Sequence, residues 1–100
     1  VRMALDYVHD HYTEFISLQD VAQYVSISKN YLSELFKKVT GQNFIEYLIE
    51  LRINKAKELL STTTLKVYEV AEQSGFKDVK YFSKLFKKYT DMSPYEYRSS

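Results

Sequence analysis

Apolar residues recur along this chain at intervals of three and four, the period of amphipathic helices. Ala4, Leu5, Val8 and Tyr12 form the first such stripe and predict a helix over roughly residues 2–12. Ser17, with Asp20 three residues on, reads as a capping-box start: the hydroxyl accepts the N3 amide and the carboxylate favours the positive helix end. It opens a short helix carrying Val21, Ala22 and Val25, which "SIS" at 26–28 breaks. Ser28 caps a third helix, from about Lys29 to Val39. Its apolar set, Tyr31, Leu32, Leu35, Phe36 and Val39, predicts one inward face. Gly41 stops it, being the residue most at ease in a left-handed C′ conformation. Asn43 and Glu46 start a longer helix to about Leu60, with a broad stripe of Ile45, Leu48, Ile49, Leu51, Ile53, Ala56 and Leu59.

"STTT" at 61–64 interrupts this pattern, because hydroxyl side chains compete for backbone hydrogen bonds. Val67, Val70 and Ala71 then mark a short helix, "SGF" at 74–76 turns the chain, and Asp78 caps a helix through Tyr89. That helix carries Tyr81, Phe82, Leu85, Phe86 and Tyr89 on its apolar face. Ser93-Pro94-Tyr95-Glu96 reads as N-cap, Pro at N1 and Glu at N3, a start signal for a short last helix. The reading is all-α, with seven helices and no strand.

Part of this pattern occurs twice. "SELFKKVT" runs from Ser33 to Thr40 and "SKLFKKYT" from Ser83 to Thr90, differing only at Glu34/Lys84 and Val39/Tyr89, and Glu46 and Tyr47 recur as Glu96 and Tyr97. One structural unit has been used twice. The expected organisation is a first subdomain at 1–42, a bridging helix at 43–61 and a second subdomain at 62–100, together one domain.

Composition narrows the chemistry. At 100 residues, 45% hydrophobic and 16% aromatic, the chain has material for a packed core. Cys is absent, so disulfides, thiolate zinc sites and cysteine nucleophiles are excluded, and a reducing, cytoplasmic setting fits. No apolar run suits a membrane span, so no membrane partner is expected. Val1, in place of an initiator Met, points to a fragment of a longer protein or a processed one. Net charge is only +1, but residues 1–28 sum to −3 and residues 77–90 to +4. A localised basic stretch of Lys77, Lys80, Lys84, Lys87 and Lys88 is either a polyanion footprint or a solvated helix face.

"VAQYVSISKNYLSELFKK" and "VAEQSGFKDVKYFSKLFKK" align once the second turn is allowed one extra residue. Ala22 and Ala71 permit close helix approach, while Leu32/Phe36 and Phe82/Phe86 fill the angle between the two helices. This is the pattern of a helix-turn-helix, whose second helix can enter a DNA major groove. Across essentially its whole length the chain resembles the DNA-binding domain of the AraC/XylS family of bacterial transcription regulators. The carrying stretches are "SLQDVAQYVSISKNYLSELFKKVTGQNFIEYLIELRINKAKELL" and "KVYEVAEQSGFKDVKYFSKLFKKYTDMSPYEYR", with "GF", "YFSKLFKK" and "SPYEYR" the most distinctive. The resemblance implies two reading helices in successive major grooves of double-stranded promoter DNA, separated by the bridging helix. It also implies RNA polymerase as a partner, and an effector or phosphorylation input on a domain outside this chain.

The face opposite the first apolar stripe holds Asn30, Ser33, Glu34 and Lys37, and the matching face of the second holds Val79, Lys80, Ser83, Lys84 and Lys87. By motif alignment the family's reading positions fall on Asn30, Ser33 and Glu34, and on Val79, Lys80, Ser83 and Lys84. Lys29 and Lys77 join the candidate DNA-binding set beside them. Glu34 stands where some members carry a base-reading Arg. A carboxylate repels phosphate and reads only a donor such as the cytosine amino group, or else pairs with Lys38. Lys37, Lys38, Lys87 and Lys88 suit phosphates better than bases.

His9 and His11, two apart, face different sides of a helix and make no natural metal pair, so neither metal nor cofactor is expected. No nucleophile–base constellation or Gly-rich phosphate loop is readable, so the chain is not read as an enzyme. Arg52 and Lys55 are expected to pair with Glu58 or lie exposed, and the ten Tyr are expected mostly in the core, with a few able to reach phosphates. The alternative function is a helical protein-interaction module that keeps the fold without binding DNA.

Overall fold

After the first, every helix starts where a side chain accepts an otherwise orphaned backbone amide. The computed structural model describes residues 2–100. Among these it contains α1 (Arg2–His11), α2 (Leu18–Tyr24), α3 (Lys29–Thr40), α4 (Phe44–Thr62), α5 (Val67–Gln73), α6 (Val79–Thr90) and α7 (Pro94–Ser99), and no strand. Ser17 and Asp20 close a reciprocal capping box at α2, at 3.1 and 2.9 Å. Asn43 and Glu46 do the same at α4, and Ser93 and Glu96 at α7. Ser28 accepts from the Tyr31 amide, and Asp78 from the Lys80 amide. At α5 the N-cap is Lys66, whose side chain caps nothing; its backbone N–H donates instead to the Glu69 carboxylate.

Two compact units result, one running to Leu51 and the other from Arg52 to Ser100, so that the division falls inside α4. In the first unit Ala4 and Val8 of α1, Val21 and Ala22 of α2, Leu32 and Phe36 of α3, and Phe44 and Leu48 of α4 form the core. Phe36 is fully buried, edge-on to Phe44 and to Tyr47 at 5.7 and 5.1 Å. In the second unit Ile53, Ala56, Val70, Ala71, Phe76, Phe82 and Phe86 are buried. Phe86 meets Tyr97 at 5.4 Å and 82°, repeating the 85° contact of Phe36 with Tyr47 fifty residues earlier. The Ser74 hydroxyl is buried here with no hydrogen-bond partner among the described residues.

Helix ends repeat as closely as the cores. The Thr40 hydroxyl donates to the Phe36 carbonyl and the Thr90 hydroxyl to that of Phe86, both at 2.7 Å. The next residue turns left-handed in both units: Gly41 at φ 78° and Asp91 at φ 64°. Each sends its N–H back to a lysine carbonyl, Lys37 or Lys87, at 2.8 Å.

Some expected core positions are not core. Tyr31, Val39, Ile45, Tyr81 and Tyr89 are exposed, and Leu35, Ile49, Leu51 and Leu85 are only half-buried. A 12-residue helix packed against a small partner buries a narrow stripe, here Leu32/Phe36 or Phe82/Phe86, and its margins stay wet. None of the ten tyrosines is buried; Tyr7, Tyr12, Tyr47 and Tyr97 are half-buried and the other six exposed. Their hydroxyls keep them at the edge, where one end of the ring can stay hydrated. α1 ends at His11, one residue short of expectation. α4 continues to Thr62, because the Thr62 and Thr63 hydroxyls bond the Glu58 and Leu59 carbonyls and extend the last turn.

Two predictions follow from this packing. Phe36→Ala or Phe86→Ala should each cost about 3–5 kcal/mol, the range for truncating a buried Phe, and lower the thermal midpoint by many degrees. Melts within a degree or two of the parent would refute the packing assignment. The left-handed caps should respond with opposite signs. Gly41→Ala meets no neighbouring atom but must hold φ 78°, a purely conformational cost of about 1 kcal/mol, whereas Asp91→Gly should stabilise by up to about 1 kcal/mol. Chemical denaturation of both variants checks this pair.

Candidate nucleic-acid interface

Backbone hydrogen bonds close the turn that leads from α2 to α3. Ser26 adopts φ 60°, which returns the Ile27 N–H to the Ala22 carbonyl at 3.1 Å. In the second unit Gly75 at φ 100° returns the Phe76 N–H to the Ala71 carbonyl at 2.9 Å. Both are Schellman-type endings that satisfy an orphan carbonyl and redirect the chain. After the left-handed residue the first unit needs only Ile27 before its cap Ser28, while the second places Phe76 and Lys77 before Asp78. That is the extra residue the alignment requires. Phe76 uses the longer turn to pack on Phe82 at 5.1 Å.

With Leu32 and Phe36 turned inward, α3 presents Lys29, Asn30, Ser33, Glu34 and Lys37 to solvent, all exposed. With Phe82 and Phe86 inward, α6 presents Val79 (39% exposed), Lys80, Lys84 and Lys87, while Lys77 is exposed just before its cap. Ser83 differs from its counterpart Ser33: it is half-buried. Each set thus shares one helix surface in its own unit. Glu34 makes no ion pair with Lys38 among the described residues, so the expected i, i+4 pairing is absent and the carboxylate projects freely from the α3 face.

Charges near the second face are anchored. Lys87 Nζ lies 3.8 Å from the Glu96 carboxylate, which also accepts the Ser93 N–H at 2.8 Å. The Ser93 hydrogen bonds, with Lys87 beside them, hold the Glu96 carboxyl below its usual value. Arg98 donates from Nε to the Leu60 carbonyl and from Nη2 to that of Thr63, at 3.2 and 3.3 Å, fastening α7 to the last turn of α4. A cation there also meets the negative helix end.

Lys55 pairs with Glu58 at 3.3 Å, as expected. Arg52 is neither exposed nor the partner of Glu58 in that pair: it is half-buried, and desolvation draws its guanidinium below its ordinary value against an opposing effect of Tyr81. His9 bonds the Tyr47 hydroxyl through Nε2 at 2.8 Å, and His11 Nδ1 lies 3.1 Å from Glu14. Among the described residues no helix is long and apolar enough to cross a membrane. Sequence reasoning passed over Lys66, Tyr68, Tyr95 and Arg98, which stand around the base of α6. Their one sequence signal was tyrosine beside a cation in "KVY" and "YEYR".

A family described as a helix-turn-helix domain matches residues 21–100. The chain is 40% identical over 100 residues to the arabinose operon regulatory protein of Escherichia coli (strain K12), an alignment covering 99% of this chain and 34% of that protein. The chain spans about a third of the length of the curated relatives it matches. Among solved structures, the C-terminal domain of the two-component response regulator yesN from Fusobacterium nucleatum superposes with a TM-score of 0.92 at 43% identity, covering 97% of this chain and 95% of that one. The DNA-binding domain of the global transcriptional factor AdpA, solved in complex with a target DNA, gives 0.91 at 26% identity, over 96% and 86%.

Acid should act through Glu96. A carboxyl held below its unfolded value contributes stability above that value and loses it as pH falls through the depressed folded value. Glu96→Gln keeps an acceptor for the Ser93 amide but cannot titrate. The parent's melting temperature should therefore fall more steeply than the variant's between about pH 6 and pH 3. Parallel curves would remove Glu96 from the acid response.

Proposed function

The chain belongs to the AraC/XylS family of helix-turn-helix transcription regulators, and from that premise we propose that its two units read a bipartite, non-palindromic DNA site. The family is one of DNA-binding transcription regulators rather than enzymes. This part would be the C-terminal output domain of a longer bacterial protein acting in the cytoplasm on promoter DNA. An effector or phosphorylation input would come from outside these residues, and RNA polymerase would be the downstream partner. The subdomain assignment carries over as 1–42 and 62–100 around a bridging segment at 43–61.

The observation that carries this reading is the repeated turn, Ile27 N–H to the Ala22 carbonyl and Phe76 N–H to the Ala71 carbonyl, each followed by a capped helix with a polar outer face. Two such helices with different outer residues call for two different boxes. Glu34 corresponds to Lys84 in the repeat, and Asn30 corresponds to Lys80. The first helix would select bases through Asn30 and Ser33, with Lys29 and Lys37 toward phosphates and Glu34 toward a cytosine amino group. The second, with Lys77, Val79, Lys80, Lys84 and Lys87 and one carboxylate cap, would supply more of the salt-dependent affinity. The clustered lysines favour DNA over a protein-interaction role.

In vitro selection on this chain should return two dissimilar boxes in a fixed order. On the selected duplex, Lys84→Ala should weaken binding and lower the salt slope by about 1. Ser33→Ala should instead relax base preference within one box. Recovery of an inverted repeat, or of no enriched sequence, would refute the bipartite reading.

A further inference from the structure

Beside the reading helix the second unit is open. A cleft of about 520 Å³ lies between the start of α5, the first turns of α6 and α7, within this unit alone. Lys66 and Tyr68 stand on one side, Lys80 and Ser83 of α6 on another, and Tyr95 and Arg98 of α7 on the third. Three of these are cations, and no Asp or Glu lines the cleft among the described residues. Low-dielectric walls bearing charge of one sign concentrate field on an anion.

Arg98 is not a loose surface charge, because two of its N–H groups are committed to the Leu60 and Thr63 carbonyls. Tyr68 is 57% and Tyr95 71% exposed, so two rings with hydroxyl donors stand out at the mouth rather than filling the core. The fold does not require this composition. In the first unit the positions matching Lys66, Tyr68, Lys80, Tyr95 and Arg98 hold Ser17, Gln19, Asn30, Ile45 and Leu48, with no cation and no tyrosine among them. The same backbone plan therefore serves without these groups, and they need a reason of their own.

We propose that this cleft seats a backbone phosphate of the DNA strand passing α6, held by Lys66 and Lys80 with the Tyr68 and Tyr95 hydroxyls donating to its oxygens. The inference rests on the DNA-reading function above, since Lys80 and Ser83 belong both to the reading helix and to the cleft wall. It changes the role of Ser83. Recessed on that wall, Ser83 donates to the sugar–phosphate chain and reads no base, unlike Ser33. The second unit then grips DNA with three helices, and its affinity extends beyond α6.

Fluorescence anisotropy on a selected duplex and on a random-sequence duplex, each across a salt series, tests the site. Lys66→Ala should weaken both duplexes by the same factor and lower the salt slope by about 1, with Lys66→Arg restoring it. Tyr95→Phe should weaken both without moving the slope, and Ser83→Ala should do so without altering base preference. Lys57→Ala, on α4 and outside the cleft lining, serves as the control and should match the parent. Ethylation interference should lose one phosphate signal in Lys66→Ala, and melts of the exposed-site variants should equal the parent's. Unchanged affinity and slope for Lys66→Ala and Lys66→Gln, with Lys84→Ala still weakened, would overturn the cleft and leave the DNA reading intact. Absence of salt-dependent binding by the unaltered chain would overturn both.

Discussion

One phenylalanine in each reading helix decides what that helix offers to solvent. A free 12-residue helix is marginal in water and has no preferred rotation. Once Phe36 or Phe86 is locked under its edge-on tyrosine, every other residue takes its direction at about 100° per step. Asn30, Ser33 and Lys37 then lie outward, as do Lys80, Lys84 and Lys87, because the aromatic contact leaves them nowhere else to go. The polar face is a consequence of the apolar one.

The turn before each reading helix adds the second constraint. A hydrogen bond to the Ala22 or Ala71 carbonyl closes the turn, and a small side chain at those positions admits the neighbouring helix. The left-handed residue that permits this bond is Ser26 in one unit and Gly75 in the other; at the helix end it is Gly41 in one and Asp91 in the other. Each unit therefore carries one glycine and one strained non-glycine residue. The same hydrogen bond is reached through different residues because it is a backbone bond and needs only a left-handed φ at the preceding position.

On this shared scaffold the charges diverge. The first unit opens with an acidic stretch and places a carboxylate, Glu34, in the middle of its reading face. The second clusters lysines there, and holds Arg98 and Glu96 in place with backbone hydrogen bonds. On the reading proposed above, two copies of one fold would meet DNA differently, the first discriminating and the second gripping. The relatives are about three times as long as this chain, so input to these units would arrive from elsewhere in such a protein.

Helix number, caps and the repeat were legible because they rest on local rules. Ser17, Ser28, Asn43, Asp78 and Ser93 each bond an amide within three residues of themselves, and Gly41 is called for by the dihedral at its own position. The outward placement of Asn30, Ser33 and Lys84 followed from the same periodicity. The width of the buried stripe did not, since Tyr31, Val39, Tyr81 and Ile45 are excluded from the core by how far a neighbouring helix reaches. Nor could spacing reveal the missing Glu34–Lys38 pair, the recessed Ser83, or the meeting of Lys66, Tyr95 and Arg98 around one cleft. Those depend on side chains that sequence separates by up to 32 positions and packing brings together. The sequence by itself determined where helices begin, end and repeat, because hydrogen bonds across three or four residues are local; the tertiary structure decided which polar groups share a surface, because that is set by the contacts left over once the aromatic cores have closed.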